Sequence, residues 1–367
     1  MKKIFLSIIS TALLFLMAIF IACNKEKIIP VTGVLLNKTT DILIDDGVLS
    51  LKTVVLPYNA TNKSVKWSSS NEGVATVSAA GKVSAVAVGE AIITATTVDG
   101  GFTATCTLMV FTSGVTITTT ASEVTIILKG VDDVTVYWGD EEAWETYEIS
   151  QTANTYLTHN YSRISEHQIT INCDHAGIDY LNHSSQQTTA FVVTGNTAIR
   201  ELSVSGSALT TFSVKGNTAL TVLTYRRRFD SPLTSLDVSG CTALTSLECI
   251  HSQLSALDVS GCSALNFLDC YDNQLVKLDV SDCHALEILF CNENQLTNLD
   301  VSDCHALRAI NCYLNQLSAS ALNDFLGTLH SNTVISEWGK TVNIANNPGA
   351  DDCDVSIAEK KGWTVYR

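Results

Sequence analysis

Proline is scarce in this 367-residue sequence, with four residues, and charged residues make up only 16% of it. Thr, Ser and Val are abundant instead. Such a composition excludes little by itself, but it fits β-rich extracellular modules better than an α/β enzyme. Basic residues are outnumbered, 22 against 37 acidic ones, for a formal charge of −15. That balance argues against nucleic-acid binding and against strong attraction to anionic membranes. The motifs of common catalysis are also missing. There is no Gly-x-Ser-x-Gly, no His-Glu-x-x-His, no phosphate-binding loop and no dinucleotide fingerprint, so nothing points to an enzyme or to a cofactor.

What is present is a repeat. Leu233, Leu254, Leu275 and Leu296 each open a 21-residue phrase, L-x-x-L-D-V-S-x-C-x-A-L-x-x-[LI]-x-C-x-x-N-Q, with Ser252 in the Asn place of the first. A fixed period of this length predicts a solenoid whose coils bury apolar faces against their neighbours. Weaker coils extend the pattern upstream to Thr188. There Phe191-Val192-Val193 and Phe212-Ser213-Val214 stand where Leu236-Asp237-Val238 stands later. The fold class expected is mainly β: a sandwich, a small β-module, and a solenoid with an α/β C-terminal cap.

Eight of the twelve cysteines form two ladders, Cys241/262/283/304 and Cys249/270/291/312. Coil spacing of roughly 4.8 Å would permit disulfides. The upstream coils argue otherwise, because Asn196 and Asn217 continue the first ladder and Val204 and Tyr225 the second. A slot shared by Asn and Cys asks for a small group at a turn. One shared by Val, Tyr and Cys asks for an apolar body. Free thiols are therefore expected.

The N-terminus reads as a targeting segment. Lys2 and Lys3 precede an apolar run from Ile4 to Ala22, long enough to anchor uncleaved in a membrane. Phe20-Ile21-Ala22-Cys23 resembles a bacterial lipobox, which implies cleavage and lipidation at Cys23. That resemblance implies an outer-membrane lipoprotein. Residues 1–22 are then the signal peptide and 23–30 a tether.

Residues 31–111 carry short period-2 strands separated by Asp46-Gly47, Ala80-Gly81 and Asp99-Gly100-Gly101. Leu56-Pro57-Tyr58-Asn59-Ala60, Val65-Lys66-Trp67-Ser68-Ser69-Ser70-Asn71, Val74-Ala75-Thr76-Val77-Ser78 and Gly81-Lys82-Val83 resemble the bacterial Ig-like domains of group 2. The resemblance implies a β-sandwich with Trp67 in its core, serving as a spacer or adhesin module. Within residues 112–187, Tyr137-Trp138-Gly139-Asp140 followed by His159-Asn160-Tyr161-Ser162 resembles a PKD-type β-sandwich. That makes Trp138 and Tyr161 core residues and Asp140 a turn residue, against a metal or acid/base reading of Asp140, Glu141, Glu142 and His159.

The segment Leu-x-x-Leu-x-Cys-x-x-Asn-x-Leu, as in Leu265 to Leu275, resembles the leucine-rich repeat signature. The arrangement over 188–316 is similar to surface proteins of gut Bacteroidetes and, more distantly, to internalins. Asn273, Asn294 and Asn315 should turn inward and satisfy backbone groups, while Leu-x-x-Leu-Asp-Val-Ser forms the opposite wall. Residues 317–367 read as a cap, with Leu322, Phe325, Leu326 and Leu329 on one helix face and Trp363 as a plug.

No metal site is expected. Asp282-Cys283-His284 and Asp303-Cys304-His305 place Cys inward and His outward, and Asp237, Asp258, Asp279 and Asp300 suit turn capping better than Ca²⁺. The letters that refuse to repeat lie on the outward side of the Leu-x-x-Leu-x-Cys strand. Arg226, Asp269, Tyr271, Phe290, Asn292 and Tyr313 are the expected ligand-binding residues, since aromatics beside polar groups anchor protein and sugar contacts. The function expected is binding or adhesion toward an extracellular protein or glycan. The alternative is an accessory polysaccharide-capture lipoprotein working with separate hydrolases.

Overall fold

A computed structural model describes residues 28–44, 47–111, 113–140, 144–173, 177–195, 198–206, 208–227, 233–332 and 339–367. The expectations for Cys23, Glu141, Glu142 and Asn196 lie outside these residues. Two compact units emerge, one holding most of the chain up to Met109 and the other chiefly Val110–Arg367.

In the first unit Gly33–Leu36 pairs antiparallel with Thr53–Leu56. Val65–Ser69 pairs with Gly89–Thr97, which neighbours Thr103–Phe111. A third small sheet joins Val48–Ser50, Lys82–Ala85 and Ala75–Val77. The alternation of strands such as Gly89–Thr97 buries Ala91, Ile93 and Ala95 on one side, as a half-covered sheet requires. Trp67 departs from expectation, for it is only partly buried. It covers the turn at Gly81, whose φ of +77° and close neighbours (a Cβ would lie 2.5 Å from the Leu51 carbonyl oxygen) demand glycine.

The second unit is built on two sheets. One carries, in order, Glu145–Glu148, Asp133–Tyr137, His167–Asn172, Gly114–Thr119, Thr188–Thr194, Thr211–Ser213, Ser235–Asp237 and Ala256–Asp258. The other, longer sheet begins with Thr155–Asn160, Glu123–Val131 and Gly177–Ser184 and runs through the repeats to Trp363–Tyr366. Pairing is antiparallel in the early strands and parallel afterwards. The switch occurs where Leu181 aligns with Leu202 and Phe191 with Phe212. Gly177–Ser184 and Thr188–Thr194 thus act as the first coil, one strand in each wall. A single apolar core continues from Val115 and Trp138 through the coils to Trp363. Trp138 and Tyr161 are buried, as the PKD resemblance implied.

Each coil repeats one set of contacts. Leu247, Leu268, Leu289 and Ile310 align and point inward, as do Cys249, Cys270, Cys291 and Cys312. All eleven described cysteines are buried and form no disulfide with one another. Burial pushes the Cys249, Cys270 and Cys291 thiols well above their ordinary range, and Cys312 to about 12. The other ladder does more than fill a turn. Cys241 and Cys262 donate Sγ–H to the Val214 and Val238 carbonyls, each at 3.3 Å, in the preceding coil. Asn217 donates Nδ2–H to Val193 and Val214 from the equivalent slot. Asn and Cys interchange there because both are small donors.

The asparagine ladder behaves as the sequence implies. Asn294 Nδ2 donates to Cys270 and Cys291 carbonyls at 3.0 and 3.2 Å, and its Oδ1 accepts from the Leu275 amide at 3.0 Å. Asn273, Asn315 and Asn347 repeat this arrangement. The opposite wall is formed by Leu-x-x-Leu-Asp-Val-Ser, but it is not strand in every coil. Leu-Asp-Val forms strands at Ser235–Asp237 and Ala256–Asp258, yet the same sequence at 278–280 and 299–301 is not strand. Grooves of about 340 and 210 Å³ separate successive coils there. One wall keeps strand spacing while the other spreads, which bends the array toward the continuous sheet.

The cap is a helix, Ala319–Thr328, started by Ser318, whose Oγ accepts from the Ala321 amide at 3.2 Å. Its Leu322, Phe325 and Leu326 close the core. The short helix Ser356–Glu359 and the strand Trp363–Tyr366 follow, with Trp363 buried. Lys340, also buried, donates to the His330, Asn332 and Lys361 carbonyls.

Candidate recognition surface

Alternation along the repeat strands puts one row outward between the buried Leu and Cys. Thr224, Glu248, Asp269, Phe290, Asn311 and Asn343 align in register across successive coils. Past the Cys the parallel ladder continues through turn residues. His251, Asp272, Glu293 and Leu314 donate their amides to the Tyr271, Asn292, Tyr313 and Ala345 carbonyls. These four residues share a φ of 51–53°, a conformation costly for side chains with a Cβ and repeated here in four successive coils.

The expected binding residues fall on this face in unequal ways. Arg226 is exposed and pairs with Glu248 at 2.7 Å. Asp269 is half-buried, accepts the Tyr271 amide at 3.3 Å, and burial pushes its carboxyl up. Phe290 meets Phe267 edge to face at 6.0 Å. Tyr271 bonds through its hydroxyl to His251 Nε2, and His251 Nδ1 meets Asp272 Oδ2. Tyr313 donates to Glu293 Oε1 at 2.5 Å. Asn292 is 5% exposed. It lies between Tyr271 and Tyr313 as a floor, so direct contact with a large partner is left to its neighbours. Tyr271 and Tyr313, two coil steps apart, stand roughly 10 Å from each other.

Sequence reasoning missed Phe267, His251, Asp272 and Glu293. Phe267 sits two residues before Asp269, on the same outward alternation, and that signal was available. The other three occupy turn positions that carry no periodic mark.

The other clusters have local explanations. Asp237, Asp258, Asp279 and Asp300 each accept the amide of the Ser two residues on, at 2.9–3.0 Å. Those turns use the carboxylates as the sequence suggested. Cys283 and Cys304 are buried while His284 and His305 are exposed, so neither triplet converges. Among the described residues no group of three or more His, Cys, Asp or Glu could hold a metal. Asp140 Oδ2 lies 2.7 Å from His159 Nε2, and the His159 ring stacks on Trp138 at 4.9 Å. Tyr161 then donates to the Trp138 carbonyl at 2.7 Å and stacks on His167. This column of rings pins one edge of the sandwich. Among the described residues no helix is long and apolar enough to cross a membrane.

Residues 30–108 match the bacterial Ig-like domain (group 2) family. Similar curated proteins include an alpha-L-arabinofuranosidase of Bifidobacterium longum, 50% identical over 66 residues, 18% of this chain and 6% of that protein. An uncharacterised protein of Clostridium acetobutylicum is 44% identical over 66 residues, 18% of this chain and 17% of that one. The chain thus spans about a sixth or less of the relatives' lengths. Among solved structures, the functional domain of InlJ from Listeria monocytogenes, described as including a cysteine ladder, is 22% identical. It covers 49% of this chain and 47% of its own, at a TM-score of 0.30. An internalin of the same species is 18% identical, covering 41% and 55%, with a TM-score of 0.24. The fold rests on the strand pairing above rather than on these likenesses. What the comparisons establish is that residues 30–108 resemble the group 2 bacterial Ig-like domains.

Proposed function

We propose that this chain is a cell-surface binding protein, tethered to the outer membrane by lipid at Cys23, with the Ig-like unit as spacer. The outward strip of the long sheet is its recognition surface toward an extracellular protein or glycan. One observation carries the reading. The inward Leu, Cys and Asn slots repeat from coil to coil, whereas the outward residues differ in each and include Tyr271, Phe290 and Tyr313. A scaffold needs the first property, and solubility alone does not call for the second.

The test is a panel of extracellular-matrix proteins and glycans probed with the full-length protein and with Y271A/F290A/Y313A. The expected result is a ligand held by the parent and lost by the triple variant at unchanged melting temperature. A ligand bound equally by both, or none at all, would overturn the proposal. A second reading, accessory capture of polysaccharide, draws support from the arabinofuranosidase that is similar over 66 residues. Binding confined to one glycan would favour it.

A further inference from the structure

The strip has a hydrogen-bond polarity that narrows its partner. Asp272 as a carboxylate only accepts, so His251 donates to it from Nδ1. The Tyr271 hydroxyl is bonded to Nε2 of the same ring. Tyr313 spends its single proton on Glu293 Oε1. The Tyr313 proton is thus engaged by a carboxylate and the Tyr271 oxygen is tied to His251. The remaining oxygens of Asp269, Asp272 and Glu293 add acceptors and negative charge beside them. The two phenol groups feel that charge: their pKa values are raised, Tyr271 by burial and then by Asp269, Asp272 and Glu293, Tyr313 first by its bond to Glu293.

A surface of acceptors among aromatic rings is complementary to groups that only donate and carry positive charge. Hydroxyl-rich glycans would need donors as well as acceptors, and here the Tyr313 donor is already engaged by Glu293 while carboxylates dominate the rest. Lys and Arg side chains are donors alone, and they stack on aromatic rings. Resting on the reading of the strip as the recognition surface, we infer that it docks a basic peptide segment. Arg or Lys side chains would sit between Tyr271 and Tyr313 and against Asp269, Asp272 and Glu293.

The test uses the full-length protein and labelled hexa-arginine, with hexa-glutamate as control, in fluorescence anisotropy at two salt concentrations. D269N/E293Q keeps the acceptors for the Tyr271 amide and the Tyr313 hydroxyl while removing two charges. D279N/D300N removes two charges from the opposite wall and likewise keeps its turn acceptors. The expected result is binding of hexa-arginine that weakens with salt, falls about tenfold or more in D269N/E293Q, and changes less than about twofold in D279N/D300N. Equal loss in both variants would mean diffuse attraction by an acidic protein and would overturn the inference. So would no binding, or equal binding of hexa-glutamate. If the panel above instead finds a neutral glycan lost on Y271A/F290A/Y313A, the recognition surface stands and only its basic partner falls.

Discussion

Replacing Asn294 with alanine removes a set of contacts from the middle of the repeat array. The Leu275 amide loses its acceptor, and the Cys270 and Cys291 carbonyls lose a donor, all in buried backbone. An orphaned buried N–H costs about 1–3 kcal/mol, and the two carbonyls, which keep Asn273 and Asn315 as donors, add less. The expected loss is about 2–4 kcal/mol, a large share of the roughly 5–15 kcal/mol typical of a domain. Ser252 occupies the equivalent place two repeats earlier, where its hydroxyl donates to the Ile250 carbonyl at 2.7 Å. Asn294→Ser should therefore cost about half as much as Asn294→Ala. Guanidinium unfolding followed by circular dichroism gives the global effect, and hydrogen exchange at the Leu275 amide gives the local one. A change below about 1 kcal/mol with undiminished protection at Leu275 would refute the role assigned to the ladder.

Three further outcomes follow from the buried groups. A thiol reagent should modify none of the eleven described cysteines in the folded protein and all eleven in guanidinium without reductant; fewer in guanidinium would reveal disulfides. His183, buried between Thr125 and Thr188, has its pKa lowered from 6.5 to about 4 by burial. The unfolded chain takes up a proton below 6.5 that the folded one refuses, so stability falls as pH drops from about 6.5 to about 4 and levels off below. The loss is about 3 kcal/mol, measured as melting temperature against pH, and His183→Asn should flatten that stretch of the curve. Lys340→Met strips the Asn332 and Lys361 carbonyls of their donor, His330 keeping Trp363 Nε1, and should destabilise the cap by about 2–4 kcal/mol, read from denaturant unfolding.

The inward half of the solenoid was legible because its chemistry is periodic. Leu268, Cys270 and Asn273 recur every 21 residues and land in one environment each time. The helix Ala319–Thr328 was legible for the same reason, its apolar spacing matching one face. The opposite wall was not. Leu257-Asp258-Val259 and Leu278-Asp279-Val280 are the same sequence, yet only the first contributes a strand, so the spreading of stacked coils and not local preference decides. The strip was half legible. Alternation located Asp269 and Phe290, but past the Cys the chain leaves the strand. There Asn292 sinks beneath its neighbours, and His251, Asp272 and Glu293 enter at positive φ. Trp67 misled because a large aromatic in a strand suggests a core, whereas this one covers a glycine turn.

The central claim is that the long sheet's outward strip, and neither the opposite wall nor the Ig-like unit, meets the partner. Hydrogen–deuterium exchange of the full-length protein with and without its strongest panel ligand tests it directly. The account predicts slowed exchange in 248–251, 269–272, 290–293 and 311–314. Slowing confined to 257–260, 278–282 and 299–303, or to residues 30–108, would contradict it.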